Sequence, residues 1–154
     1  MAVYYLDTSA LVKRHALEPG SNWVIGLTDP VARHDLYTVR LTGPEMIAAL
    51  FRKARTGEVS LATAVRAASD FRVDWRQQYQ IVEVSASLAD RAMSLAEEHG
   101  LRGYDAVHLA AALELQDLRR ATQLPLLTFV SADDDQLRAA TAKGCPTENP
   151  NWYP

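Results

Sequence analysis

The chain has 154 residues, 48% of them hydrophobic and 23% charged, a composition typical of one soluble globular domain and unlike that of a disordered chain. The net charge is −3, which argues against a general nucleic-acid binder, since such proteins are usually basic. No apolar run is long enough to span a membrane, and the N-terminus lacks the basic region of a signal peptide. The single cysteine, Cys145, permits no internal disulfide. We therefore expect a cytoplasmic protein.

Apolar runs and capping residues predict strands and helices that alternate along the chain. Strands are predicted at residues 3–6, 36–41, 80–84 and 125–130, and helices at residues 10–14, 23–27, 42–56, 60–75, 87–99, 104–115 and 134–143. Residues 116–123 are the least periodic and predict a solvated connection, and residues 146–154 predict an irregular tail. The order predicts a single α/β domain over residues 1–154, with a mostly parallel sheet of four to five short strands and helices on both faces.

Four acidic residues each follow an apolar run or open a helical pattern: Asp7, Glu45, Asp105 and Asp133. Residues at the carboxyl ends of parallel strands and at nearby helix starts converge on one crevice of an open α/β sheet. Carboxylates that converge repel one another unless a hard cation lies between them. The pattern therefore predicts a site for Mg²⁺, or Mn²⁺ in its place, that serves phosphoryl chemistry. If these four acids are left out of the count, 15 acidic residues nearly balance the 16 basic ones. The net charge therefore does not decide whether the partner is a nucleic acid.

Each acid also has a purely structural explanation, which the residues alone leave open. Asp7 and Asp133 could cap the helices that follow them. Glu45 lies three residues after Thr42, the spacing of a capping box. Asp105 could simply favour the dipole of its helix.

Four segments, in this order and spacing, resemble PIN-domain proteins, especially the VapC-type toxins of toxin–antitoxin pairs. They are Leu-Asp-Thr-Ser-Ala-Leu-Val-Lys from residue 6 with Glu-Pro-Gly-Ser from residue 18, Leu-Thr-Gly-Pro-Glu-Met from residue 41, Tyr-Asp-Ala-Val-His-Leu-Ala-Ala-Ala from residue 104, and Val-Ser-Ala-Asp from residue 130. The resemblance covers residues 3–150. It implies an Mg²⁺-dependent endoribonuclease that hydrolyses RNA phosphodiester bonds.

The resemblance also assigns roles to residues. Asp7, Glu45, Asp105 and Asp133 would be both the catalytic acids and the metal ligands, and Thr8, Ser9 or Ser131 would bring a hydroxyl near the substrate. Among the acids, Asp7 and Asp105 are expected to be the principal ligands, and Glu45 is expected to hold or deprotonate the attacking water. One departure concerns the end of the second strand, where many relatives carry a serine and this chain has Val39-Arg40.

Two further residues have open interpretations. His108 lies three residues after Asp105 on the same helix face, where it is either a ligand, which would favour a transition metal, or a packed and hydrogen-bonded histidine. Arg52 lies two turns after Glu45 and belongs either to an RNA-binding surface or to a solvated basic face.

The expected partners follow from the same resemblance. A cognate antitoxin would insert an arginine or lysine toward Asp7, Glu45 and Asp105, since a guanidinium binds carboxylates bidentately. A homodimer is expected from the resemblance and from the apolar helices around residues 46–51 and 60–75. Two alternatives remain: a PIN-fold binding module with little or no activity, and a different Mg²⁺-dependent phosphohydrolase. Position 9 is serine, which disfavours a phosphatase that needs a second carboxylate two residues after Asp7.

Overall fold

The computed structural model describes residues 1–154 as a five-stranded parallel sheet with seven α-helices. The strands are β1 Val3–Leu6, β2 Asp35–Val39, β3 Tyr79–Val82, β4 Thr128–Val130 and β5 Thr147–Glu148. The helices are α1 Thr8–His15, α2 Ser21–Leu27, α3 Thr42–Arg55, α4 Leu61–Gln77, α5 Ala86–His99, α6 Gly103–Ala121 and α7 Asp134–Ala142. No helix has the length and apolar character needed to cross a membrane.

The strand order is β3-β2-β1-β4-β5, so β1 lies at the centre of the sheet. Leu6 at the end of β1 pairs with Val130 at the end of β4. The residues that follow these two strands, Asp7 and Ser131, therefore emerge side by side at the same edge. The predicted α/β class and parallel sheet are confirmed.

Side chains on the two faces of the sheet form two separate hydrophobic clusters, as the alternation of a strand requires. On one face, Val3 and Tyr5 of β1 pack with apolar residues of α5, α6 and α7. On the other face, Leu6 packs with apolar residues of α1, α2, α3 and α4. The prediction of helices on both faces is thus confirmed, and both layers hold β1 in a fixed position.

Two predictions about the C-terminal third were wrong. Residues 116–121, expected to begin a solvated connection, continue α6, and Gln116 is fully buried. Its amide accepts a hydrogen bond from Leu127 N at 2.9 Å and donates one to Leu127 O at 3.2 Å, so a polar side chain occupies a core position. The tail, expected to be irregular, contains β5 and a 3₁₀ helix at Pro150–Trp152.

The tail is held in place by a close contact with the turn before α2. Gly20 has φ of +85°, and a Cβ at this position would lie 2.3 Å from Pro150 O. Trp23 stacks on Tyr153 with their rings 4.9 Å apart. Glycine is required at position 20 because of its positive φ and because of the close contact with Pro150. Gly20 directly precedes α2, whose first turn has no side-chain cap.

Candidate active site

A cavity of about 650 Å³ opens at the carboxyl ends of β1 and β4. All four predicted acids line it, together with Thr8, Ser9, Arg52 and His108. Its walls come from α1, α3 and the first turns of α6, with Asp133 just ahead of α7. The structure therefore brings together acids that are up to 126 positions apart in the sequence.

Asp7 is the most deeply buried of the four acids, with 3% of its surface exposed. Its carboxylate caps α1 by accepting a hydrogen bond from Ala10 N at 2.9 Å. It also accepts from the hydroxyl of Ser9 at 2.8 Å and from that of Ser131 at 2.7 Å. Burial raises the pKa of the Asp7 carboxyl, and these hydrogen bonds and His108 only partly oppose that effect. Asp7 is thus both a helix cap and a buried carboxylate in the cavity.

The predicted hydroxyl residues contact the acids directly. The Ser9 and Ser131 hydroxyls are 3.3 Å apart, and both donate to Asp7. Ser9 Oγ also accepts from Ala132 N at 2.9 Å, which fixes the turn between β4 and α7. The Thr8 hydroxyl donates to Glu45 Oε2. These three side chains orient Asp7 and Glu45 in the structure.

Glu45 does not form a capping box, the structural explanation that its spacing left open. Thr42 is the first residue of α3 rather than its cap, and its hydroxyl lies 2.6 Å from that of Thr38. Glu45 instead points into the cavity, where Oε2 meets the Thr8 hydroxyl and His108 Nε2 at 3.2 Å. Its other oxygen, Oε1, is buried without a hydrogen-bond partner. Burial alone would raise the pKa of this carboxyl, but His108 and Thr8 bring the pKa below its usual range.

In the structure His108 is packed and hydrogen-bonded, as the second of its two interpretations describes. Its Nδ1 lies 3.1 Å from the Tyr5 hydroxyl, and its Nε2 faces Glu45 and Thr8. Both ring nitrogens are therefore occupied. Burial, together with the charges of Asp7 and Glu45, raises the pKa of Tyr5 well above its usual range, so the phenol stays protonated.

Asp105 and Asp133 are bridged by an arginine that sequence reasoning missed. Arg102 donates from Nε to Asp105 Oδ2 at 3.0 Å, and its Nη2 lies 3.7 Å from Asp133 Oδ2. The other oxygen of Asp105 accepts from the Gln136 amide at 2.8 Å. Asp133 also caps α7, as its structural explanation proposed. The spacing of Arg102 three residues before Asp105 is the signal that could have revealed the pair.

The four acids share a cavity, but they do not stand as a preformed metal cage. No three His, Cys, Asp or Glu side chains lie close enough together to hold an ion in this arrangement. The four carboxylates share the predicted crevice but are not clustered within it. The reason lies in their partners, since Arg102 and Gln136 hold Asp105 while hydroxyls hold Asp7.

The mouth of the cavity carries exposed basic and aromatic side chains. Arg52 lines it and forms no ion pair, whereas the neighbouring Lys53 pairs with Glu18 at 2.6 Å. Tyr104, also missed from the sequence, lines it with 65% of its surface exposed. Val39, at the position of the family serine, is buried in the core, and the hydroxyl of the preceding residue, Thr38, donates to Leu6 O.

Comparisons with known proteins agree with this architecture. The PIN domain family model matches residues 4–142. The chain is 37% identical to Ribonuclease VapC45 of Mycobacterium tuberculosis (strain CDC 1551 / Oshkosh) over 117 residues, which are 76% of this chain and 79% of that protein.

Solved structures share the fold at lower identity. PAE2754 from Pyrobaculum aerophilum superposes with a TM-score of 0.61 at 24% identity, over 95% of this chain and 83% of that one. VapBC2 from Rickettsia felis, bound to a DNA fragment from its promoter, gives 0.61 at 15% identity, over 96% and 98%. Mycobacterium tuberculosis VapC20, a sarcin-ricin loop cleaving toxin, gives 0.60 at 16% identity, over 94% and 96%. The chain therefore belongs to the PIN-domain family and, within it, to the VapC-type ribonucleases.

Proposed function

We propose that this chain is a metal-dependent endoribonuclease, acting in the cytoplasm as the toxin of a toxin–antitoxin pair. The observation that carries the proposal is the meeting of Asp7, Glu45, Asp105 and Asp133 in one cavity at the carboxyl edge of a parallel sheet. Neither Asp7 nor Glu45 forms an ion pair with a lysine or arginine, so two carboxylates of the cavity lack a permanent countercharge. Family membership supports RNA as the substrate.

The donor set suits Mg²⁺, for which Mn²⁺ would substitute. All candidate ligands are carboxylate oxygens, which hard cations prefer. The strongest sign is Glu45 Oε1, a buried oxygen with no hydrogen-bond partner, since such an atom is costly unless a cation or water meets it. Asp7, Asp105 and Asp133 would complete the site. When bound, the ion supplies an activated water and neutralises charge on the phosphate oxygens.

The side chains of the cavity divide the remaining work. Ser9 and Ser131 hold the Asp7 carboxylate, and Thr8 holds that of Glu45; a direct contact of these hydroxyls with RNA stays a prediction. Glu45 would orient the attacking water or accept its proton. Arg52 and Arg102 at the mouth would meet RNA phosphates.

Arg102 also supports the proposed mode of inhibition. Its guanidinium lies between Asp105 and Asp133, so the cavity already accepts one arginine from its own chain. An antitoxin arginine or lysine would reach Asp7 and Glu45, the two acids without such a partner. Co-expression with the product of the neighbouring reading frame should raise the melting temperature of the toxin by mass action. An antitoxin in which every basic residue of its tail is changed to alanine, yet which still inhibits, would contradict this mode.

The proposed homodimer can use only part of the surface expected from the sequence, which comprised residues 46–51 and 60–75. Met46 and Leu50 of α3 are buried within the chain, so they cannot form a subunit contact. Leu61 and Val65 of α4 are exposed and remain available for one. Sedimentation of the wild type and of a Leu61→Asp variant tests the dimer, and a wild type that stays monomeric at micromolar concentration would refute it.

Cleavage of an RNA containing both paired and unpaired segments tests the activity. We expect cleavage with Mg²⁺ or Mn²⁺, none with a chelator, and none with Asp105→Asn. The matched control is Asp90→Asn, which makes the same change on the exposed face of α5, outside the cavity. Binding of RNA without metal-dependent cleavage would favour the alternative of an inactive binding module.

A further inference from the structure

We propose that His108 is a positioning residue, which together with Tyr5 holds the Glu45 carboxylate in one orientation at the cavity. The catalytic consequence rests on the proposed function, whereas the positioning itself is a property of the fold. His108 is 2% exposed and lies in the second turn of α6, one turn after Asp105.

The hydrogen bonds form an ordered chain from the core to the cavity. The Tyr5 hydroxyl lies 3.1 Å from His108 Nδ1, and its oxygen also faces the backbone N–H of Val39. His108 Nε2 lies 3.2 Å from Glu45 Oε2. Tyr5 is itself fixed, because it is fully buried and its ring stacks on Phe129 at 5.5 Å.

This chain assigns the tautomer of the imidazole. The backbone N–H of Val39 can only donate, so the buried, protonated phenol of Tyr5 donates its hydrogen to His108, and Nδ1 of His108 is an acceptor. In the neutral ring the hydrogen is then on Nε2. Nε2 therefore donates to Glu45, which fixes both the ring and the carboxylate.

The consequence for Glu45 is a division between its two oxygens. Oε2 receives His108 and the Thr8 hydroxyl, whereas Oε1 receives nothing and is buried. A carboxylate anchored through one oxygen keeps a fixed orientation relative to the other acids that line the cavity. Removing a residue that orients a metal ligand in this way typically lowers activity or metal affinity by about 10- to 100-fold.

If His108 only filled the core, replacing it would change stability and leave activity and metal affinity unchanged. If His108 positions Glu45, replacing it also changes activity and metal affinity, and this difference can be measured. His108→Leu removes the donor and keeps an apolar side chain, whereas His108→Gln keeps a donor that can reach Glu45. Tyr5→Phe removes only the hydroxyl that sets the tautomer. Gln116→Leu is the matched control, because Gln116 is a fully buried polar residue of the same helix that lies outside the cavity.

We expect His108→Leu to lower kcat for RNA cleavage and the affinity for Mn²⁺ by about 10- to 100-fold, with KM changed less than threefold. His108→Gln should recover most of the loss, and Tyr5→Phe should show a smaller loss in the same direction. Gln116→Leu should lower the melting temperature while kcat stays within twofold of the wild type. Wild-type kcat and Mn²⁺ affinity in His108→Leu would overturn the proposal.

Nitrogen-15 NMR of the metal-free wild type gives a readout independent of activity. The ring signals of His108 should show hydrogen on Nε2 and none on Nδ1; the reverse would overturn the proposal even if His108→Leu does not fold. If the wild type fails to cleave RNA, the proposed function fails, while the NMR spectrum and the Mn²⁺ titrations still decide the positioning role.

Discussion

Asp7→Asn should stabilise the protein without metal and remove its stabilisation by Mg²⁺. Asn caps a helix about as well as Asp, so α1 keeps its first turn. The change removes a buried charge whose pKa burial has raised, which means that ionised Asp7 destabilises the metal-free fold at neutral pH. It also removes a carboxylate that the bound ion would need.

The magnitude follows from opposing contributions. Burying a carboxylate costs several kcal/mol, and the bonds from Ser9, Ser131 and Ala10 each lose about 1 kcal/mol when the acceptor becomes neutral. The raised pKa means that burial outweighs these bonds, so we expect a net gain of about 1 kcal/mol, or roughly 2–4 °C in a domain of this size. Mg²⁺ at 100 times its Kd should stabilise the wild type by about 2.7 kcal/mol, roughly 5–11 °C.

In chelator, the wild type should therefore melt at a lower temperature than Asp7→Asn, and with Mg²⁺ it should melt at a higher one. The assay is thermal melting of the wild type, Asp7→Asn and the control Asp90→Asn, each with chelator and with Mg²⁺, alongside RNA cleavage. Asp7→Asn should lose at least about 100-fold in cleavage. The stability advantage of Asp7→Asn should disappear at pH below the ordinary value of 3.8, where Asp7 is protonated in both states. An Asp7→Asn variant that melts below the wild type in chelator, or that gains as much from Mg²⁺, would refute this reasoning.

Three further changes give distinct outcomes. Arg102→Gln should lower the Mg²⁺ concentration for half-maximal cleavage, because it frees Asp105 and Asp133; an unchanged Mg²⁺ dependence would contradict this. Glu18→Gln should destabilise the protein by about 1–3 kcal/mol at pH 7, since buried Lys13 loses its carboxylate. Burial alone would raise the pKa of Glu18, but the two lysines lower it below its ordinary 4.5, so in melts at falling pH this difference should begin to shrink near 4.5 and vanish below the lowered pKa of the folded state. Gln116→Leu leaves two buried backbone groups without partners and should cost about 2–4 kcal/mol by denaturant titration, with an unchanged midpoint as the contrary result.

The sequence predicted the sheet and the position of the acids because both depend on local patterns. An apolar run followed by an acid marks the end of a buried strand, and parallel strands bring such ends together, as they do for Asp7 and Asp133. The predictions failed where the partner of a polar residue lies far along the chain. Gln116 resembled a solvated residue because nothing nearby indicates its bonds to Leu127.

The same limit applies to the details of the site. Glu45 has the spacing of a capping-box residue, yet its partners are Thr8 and His108, 37 and 63 positions away. The role of Arg102 depends on the place of Asp133, which only the folded sheet brings near. Residue type and local spacing identified the acids, whereas their ion pairs and free oxygens required the three-dimensional structure.

The central place of β1 has a consequence for the time at which the protein becomes active during its synthesis. The first acid lies in the first turn after β1, but Ser131 and Asp133 follow β4, the strand that completes the other side of β1. A nascent chain that ends before β4 has β1 exposed along one edge and Asp7 without its Ser131 hydrogen bond. We therefore expect the four acids to meet only after β4 has paired with β1 and Asp133 has been made, which would separate synthesis from RNA cleavage.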